Sequence, residues 1–568
     1  MADQPLIPPL EMERPIRTDV ILEDDEILAD LNEEAPFVEQ DITVEVEPEL
    51  DEQGNTIVGF GEEIPEPLSD DFFRNLSEEI EQRELRSLAA DMLGMYQADR
   101  ESRSDWERTY SEGLNLLGMD TSERSEPFQG ASGVYHPLLS EAVAQFQSSA
   151  YKELLPSGGP VGTRVIGRKT PERQEQANRV KEFMNYQITE VMQEYDPELD
   201  QMLFYLPLSG SAFKKVYYDE TLNRAVAKFI TSEDLVVPYE TTDLQSATRI
   251  THMVRMNTND VRKLQQSGFY RDIELISSPE EESAITEKVD ELEGVRPTHY
   301  MTSDTMTILE CHIDLDLPGF EDVDEDGEPT GIQLPYIVTM EEGSSQVLSI
   351  RRNWEETDSL KNKKQYFVHY KFLPGLGFYG FGLIHMIGGL SKSATSLLRQ
   401  LIDAGTLANL PAGFKARGLR VRNADEPLQP GEWRDVDAPG GTLRDSLLPL
   451  PYKEPSGTLL NLLSVLVDSG RRFAAITEMQ TGDMTEAMPV GTTVALLEKG
   501  MQVMSAIHKR LHYSQKIEFR LLAETFSEYL PQEYPFEVAG GERLIKVTDF
   551  SEQIDVIPHS DPNIFSMA

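Results

Sequence analysis

The chain has 568 residues, 39% hydrophobic and 27% charged, enough for several globular cores. Its 100 acidic and 51 basic residues leave a formal net charge of −49, which argues against a protein that reads nucleic-acid sequence through a basic patch without excluding contact with DNA. A single cysteine, Cys311, excludes an internal disulfide framework and fits a reducing compartment, and no apolar run reaches the roughly 20 residues that cross a bilayer.

Residues 1–68 read as an acidic arm, extended or disordered, with charge runs such as Leu22-Glu23-Asp24-Asp25-Glu26 and few aromatics. Its acidic start, broken by prolines, lacks the basic and apolar regions of a signal peptide, so no cleaved leader is expected. Helical spacing begins near residue 71 and lasts to about 118, with Leu76, Ile80, Leu85, Leu88, Met92 and Met95 on one face. The segment 130–137, Gly-Ala-Ser-Gly-Val-Tyr-His-Pro, is a loop by its glycines and proline. Helices are predicted over 138–155 and 172–194, and strands within 211–240. Residues 248–300 mix a strand, a short helix and an acidic loop. Residues 305–370 are strand-rich, with 335–340 and 346–350 reading as one hairpin. The fold class to 380 is therefore α+β.

The pattern changes after residue 382. Apolar residues at 383, 384, 387, 390, 394, 397, 398, 401, 404, 407 and 408 predict one long amphipathic helix over 382–409, ended by Pro411. Residues 412–457 are too rich in glycine and proline to be helical and carry only short strand-like pieces. A second helix follows over 458–479, then a glycine- and methionine-containing loop over 480–491, then a long helix over 492–529. Two long apolar stripes flanking a small module cannot bury themselves in a thin hairpin, so they need neighbours, which either further copies in a closed ring or the α+β body of the same chain would supply.

This order of elements resembles the portal protein family of tailed double-stranded DNA bacteriophages. The segments that look most like that family are Tyr379-Gly380-Phe381-Gly382, Leu397-Leu398-Arg399-Gln400-Leu401-Ile402-Asp403, Gly491-Thr492-Thr493 and Ser560-Asp561-Pro562-Asn563. The resemblance implies a wing over 69–380, a first stem helix over 381–411, a small α/β clip over 412–457 and a second stem helix over 458–479. It further implies a tunnel loop over 480–491 and a long wing helix and return over 492–568, the place from which a crown, absent here, would continue. It also implies a dodecameric ring at one capsid vertex, assembled in the host bacterial cytoplasm. Double-stranded DNA would pass through that ring without sequence specificity. The implied partners are the terminase large subunit, a head-completion or tail adaptor protein, and the major capsid and scaffolding proteins. No membrane, no enzyme activity and no cofactor are implied.

Within this frame several residues are candidates for function. The loop residues Gly482, Asp483, Met484, Thr485, Glu486, Ala487, Met488 and Pro489 include no base, so they suit a mobile constriction that touches a duplex by shape. Lys392 and Arg399, seven apart, share nearly one face of the first stem helix, and Arg399 and Asp403 are placed to pair within it or with a neighbouring subunit. Lys415, Arg417, Arg420 and Arg422, with Trp433, make the start of the clip locally basic, a docking surface for an acidic partner. Asp322, Asp324 and Asp326 resemble half of a calcium loop. Gln333 stands where a bidentate Glu belongs, and the flanks read as strands, so an acidic hairpin turn is the plainer reading. His508 and His512, four apart on a helix, lack the Glu of a His-Glu-x-x-His site and read as structural. No phosphate loop or nucleophile elbow is present in the sequence. The alternative to a conduit is a soluble multidomain hydrolase with a carboxylate site.

Overall fold

The computed structural model describes residues 72–119, 126–275, 283–294, 305–323, 328–409, 413–415, 420–421, 436–437, 447–450, 452–473, 490–538, 541–551 and 553–559. The acidic arm lies outside them. The first helical region is two helices, α1 (Gln82–Ser102) and α2 (Ser104–Leu114), divided at Arg103. After α3 (Leu138–Leu154) and strand β1 (Val161–Val165) comes α4 (Pro171–Tyr186). Thr170 caps α4 by accepting the Arg173 N–H (3.3 Å), and Pro171 fills the first turn, where no N–H is needed. The single helix expected over 172–194 instead ends in a π-turn at Gln187–Val191. A further helix, α5 (Tyr195–Ser209), follows. Leu199, Leu203 and Leu206 carry its helical spacing, and all three are buried.

Two antiparallel sheets follow. β2 (Ser211–Asp219) lies between β3 (Arg224–Ile230) and β9 (Phe367–Lys371). The larger sheet orders β4 (Leu235–Val236), β5 (Arg249–Asn257), β6 (Thr305–Leu315), β7 (Leu334–Glu341) and β8 (Gln346–Arg352). β7 and β8 are the hairpin expected from the sequence. Two short helices, α6 (Thr258–Gln266) and α7 (Ala284–Glu293), lie between β5 and β6. An open sheet edge invites unwanted pairing. Here Asn75 blocks β8, its Nδ2 donating to the Leu348 carbonyl (3.0 Å) and its Oδ1 accepting the Ile350 N–H (3.0 Å). Helix α1 covers one face with Leu85, Ala89, Met92 and Tyr96, and a bidentate pair from Arg249 to Asp99 (2.7 and 2.8 Å) ties it to β5.

The remaining elements begin with α8 (Leu383–Asn409). Four short strands follow, β10 (Gly413–Lys415), β11 (Arg420–Val421), β12 (Val436–Asp437) and β13 (Leu447–Pro449). Then come α9 (Gly457–Phe473) and the 40-residue α10 (Val490–Tyr529). Last are the hairpin β14 (Glu533–Val538) with β15 (Gly541–Lys546), and β16 (Ile554–Pro558), which returns to pair with β1. The main core gathers α3, α4, α5, the root of α8 and the second half of α10 around β2 and β9.

Six histidines, His136, His252, His312, His369, His385 and His508, are held below the ordinary imidazole range by burial, His252 down to about 3. Below about pH 6.5 the unfolded chain therefore takes up protons that the folded chain refuses, and each such difference costs roughly 1.4 kcal/mol per pH unit. Glu233 opposes them most strongly. Burial, then neighbouring Asp234, pushes its carboxyl from 4.5 up to about 7, so its contribution is full below pH 4.5 and is lost as the pH rises toward 7. Six imidazoles outweigh it, so stability is expected to fall as the pH drops from about 6.5 to about 5. Denaturant titrations across that window check this, and a flat or rising profile contradicts it.

Candidate functional site

The distinctive feature is the pair α8 and α9 and the turn from which α8 springs. At residues 379–382 the chain passes so close to the end of α5 that side chains are excluded. A Cβ on Gly380 would meet the Gly210 carbonyl oxygen at 2.3 Å, and one on Gly382 would meet the Leu208 carbonyl oxygen at the same distance. Gly210 itself has φ +86°, which ends α5 in the left-handed region. The Gly380 N–H donates to Ser211 Oγ (2.8 Å), and the Phe381 N–H to the Leu373 carbonyl (2.9 Å).

Around this turn Tyr379 stacks on Trp106 (centroids 4.9 Å apart), and Trp106 on Tyr110 (5.7 Å). Arg103, buried at the break between α1 and α2, donates through Nε to Glu107 (2.8 Å). Its Nη1 donates to the Ser232 and Leu235 carbonyls and to Tyr379 Oη (2.8 Å each), and its Nη2 to the Glu233 carbonyl (2.5 Å). The root is thus fixed by backbone-to-backbone contact and by one fully engaged guanidinium. The Tyr-Gly-Phe-Gly run has its glycines because two main chains touch there.

Helix α8 then crosses α2 at Gly113, whose Cβ would lie 2.2 Å from Ile384 Cγ2. Helix α9 returns beside α8 and crosses α3 where Gly470 faces Leu138. Beyond the root the packing thins. Helix α9 gathers Asn461, Ser464, Asp468, Arg471 and Arg472 along one side, and its apolar Leu460, Leu462 and Val465 are 55%, 46% and 60% exposed, while Ile402 on α8 is 41% exposed.

Helix α10 is anchored by a buried ion pair. Lys214 Nζ lies 2.9 Å from Glu518 Oε1, both side chains at 0% exposure, and 3.9 Å from the Tyr195 ring centroid. The Tyr370 hydroxyl donates to the other Glu518 oxygen. Sequence reasoning did not single out Lys214, Glu518 or Arg103. The one signal was alternation in Phe213-Lys214-Lys215-Val216, which sends one of two adjacent lysines inward.

The sequence-predicted residues fall as follows. Lys392 is exposed on α8. Arg399 and Asp403 do not pair with each other. Arg399 donates to the Val134 and Gly133 carbonyls (2.8 and 3.0 Å), and Asp403 Oδ1 accepts the Ser132 N–H (2.8 Å), so both hold the loop that precedes α3. Lys415 lies in β10, which pairs with β13, and Arg420 in β11, which pairs with β12. Arg417, Arg422 and Trp433 lie outside the described residues, and the regular structure described in this module is all strand.

The loop residues Gly482 to Pro489 also lie outside them, and α10 begins at Val490, earlier than expected. Asp322 is held by Lys361 and accepts the Thr330 hydroxyl (2.7 Å), so its carboxylate serves the turn. Asp324 and Asp326 lie outside the described residues. His512 Nε2 is 3.1 Å from Glu153, and His508 packs by Phe146, so the two do not converge on one ligand. Among the described residues no group of three or more His, Cys, Asp or Glu is placed to hold a metal, and no helix is long and apolar enough to cross a membrane.

No curated protein matches the chain. The family model described as phage SU10 portal protein matches residues 169–557, from the start of the α4 region through β16, and so includes both helices of the hairpin, their root and all of α10. The chain therefore belongs to the phage SU10 portal protein family: it is a phage portal protein.

Proposed function

We propose that the chain forms a closed ring, dodecameric by the family resemblance, at one vertex of the capsid, with a central channel through which double-stranded DNA enters and leaves. The observation that carries this reading is the set of large apolar side chains, Ile402, Leu460, Leu462 and Val465, that the α8–α9 hairpin leaves open to solvent in a single subunit. A heterologous contact that repeats around an axis covers such side chains in every copy. The net charge of −49 suits a channel that does not grip phosphates.

The module at 412–457 is the docking site for the terminase large subunit during packaging and for a head-completion or tail adaptor protein afterwards. Its basic residues Lys415, Arg417, Arg420 and Arg422 attract an acidic partner. The body contacts the major capsid and scaffolding proteins. The loop ahead of α10, Gly482 to Pro489, is the constriction that slides over the duplex. Membership of the phage portal family supports a structural role over the hydrolase alternative.

Native mass spectrometry of the purified chain at micromolar concentration tests the ring. A single assembly of several hundred kilodaltons is expected, and a population of monomers and dimers alone overturns the reading. Exchanging Val465 for glutamate on the exposed face should shift that population toward free subunits while leaving the fold intact, since the side chain is already in water in the single chain.

A further inference from the structure

Past Thr395 the only buried residue of α8 is Asp403, so the outer half of this helix has no core to hold it against the body. It has a polar ladder instead. Thr395, Arg399 and Asp403 are spaced four apart, which sets them one turn above another along one side of the helix. They meet the segment 132–136 in reverse order. Thr395 Oγ1 accepts the His136 N–H (3.1 Å). Arg399 donates through Nε to the Val134 carbonyl (2.8 Å) and through Nη2 to the Gly133 carbonyl (3.0 Å). Asp403 Oδ1 accepts the Ser132 N–H (2.8 Å). The Arg399 guanidinium also lies over the Tyr135 ring, 4.2 Å from its centroid.

The helix thus offers an acceptor, a two-pronged donor and an acceptor, and the loop offers an N–H, two carbonyls and an N–H. Only one register satisfies all four bonds. Immediately after the loop comes α3, whose Leu138 packs over Gly470 of α9. The loop therefore links α8 to the element that α9 crosses.

We propose that Thr395, Arg399 and Asp403 are positioning residues that fix the angle at which the α8–α9 hairpin leaves the body, and through that angle the number of subunits that close the ring. This rests on the ring reading above. The lever is long. A helix of 27 residues spans about 40 Å, so a tilt of roughly 10° at the root moves its far end by roughly 7 Å, more than the reach of an apolar contact. Subunits whose hairpins leave at scattered angles close into rings of different size, or fail to close. The ladder does not need an ion pair with a neighbour, since each of its charged groups is engaged within the same chain.

The test uses the full chain and its variants Thr395→Val, Arg399→Ala, Asp403→Ala and Asp403→Asn, each measured by native mass spectrometry and by thermal melting. Arg399→Ala and Asp403→Ala are expected to melt close to the parent, because the body's core is untouched. The fraction of subunits in the principal ring should nevertheless fall about twofold or more, with rings of neighbouring subunit number and open arcs taking its place. Thr395→Val, which removes one acceptor at nearly constant volume, should show the same effect more weakly. Asp403→Asn keeps an oxygen to accept the Ser132 N–H and should restore the parent distribution. The proposal is overturned if the alanine variants keep one ring mass, or if Asp403→Asn scatters as Asp403→Ala does. Loss of folded protein in the alanine variants together with a single ring mass for Thr395→Val also overturns it. A parent chain that forms no ring at all defeats the ring reading itself, which separates the two failures.

Discussion

Replacing Glu518 with alanine is expected to destabilise the folded chain by about 3–5 kcal/mol, a large share of the stability of an ordinary domain. The carboxylate is wholly buried and faces the equally buried Lys214 ammonium at 2.9 Å, with the Tyr195 ring on one side and the Tyr370 hydroxyl on its other oxygen. Removing it leaves an ammonium without its hydrogen-bonded counter-charge in a low-dielectric core, which is far more costly than removing both charges. The double variant Lys214→Met with Glu518→Leu should therefore recover most of the loss. What remains is the Tyr370 hydroxyl without its acceptor, at about 1–3 kcal/mol. Denaturant titration followed by tryptophan fluorescence reads both. A Glu518→Ala chain within about 1 kcal/mol of the parent would contradict a buried pair. Because Glu518 belongs to α10 and Lys214 to β2, the same pair fixes the long helix that follows residues 480–489, so assembly should suffer along with stability.

Gly382→Ala is expected to cost about 3 kcal/mol or more, while Gly94→Ala, in the same protein, should be neutral or stabilising by about 0.5–1 kcal/mol. At position 382 the new Cβ would sit 2.3 Å from the Leu208 carbonyl oxygen, 2.7 Å from that of Pro207 and 2.8 Å from the Gly210 nitrogen. All three are main-chain atoms, so no side chain can swing aside and the root of α8 must shift. At position 94, inside α1, nothing lies within 4 Å, and alanine only reduces the freedom of the unfolded chain. Melting of the two variants side by side separates them. Equal melting temperatures would mean that α8 does not leave the body through a close main-chain contact.

The amino-acid sequence determined the elements whose signal is local. The apolar period over 383–408 marked α8 almost to the residue, and the short strand-like pieces expected after it correspond to the strands described there, β10 to β13. The hairpin of β7 and β8 followed from two apolar runs across a turn, and α3 from its own spacing. Element order with the Tyr379–Gly382 run was enough to suggest the portal family. The break of α4 at a π-turn and the existence of α5 were not legible, because Leu199, Leu203 and Leu206 are a short pattern with a proline inside the helix, set between stronger signals.

The tertiary structure alone decided what the charges do. Arg399 and Asp403 are four apart and look like a pair on one helix, yet each is taken by a loop some 265 to 271 residues earlier in the chain. Lys214 and Glu518 are separated by 304 residues, and nothing near either of them marks it as the other's partner. Spacing along a helix or strand tells which residues share a face, because that geometry is set by the backbone. Which group stands opposite that face is set by the packing of distant segments, and a hydrogen bond or an ion pair exists only once both sides are in place.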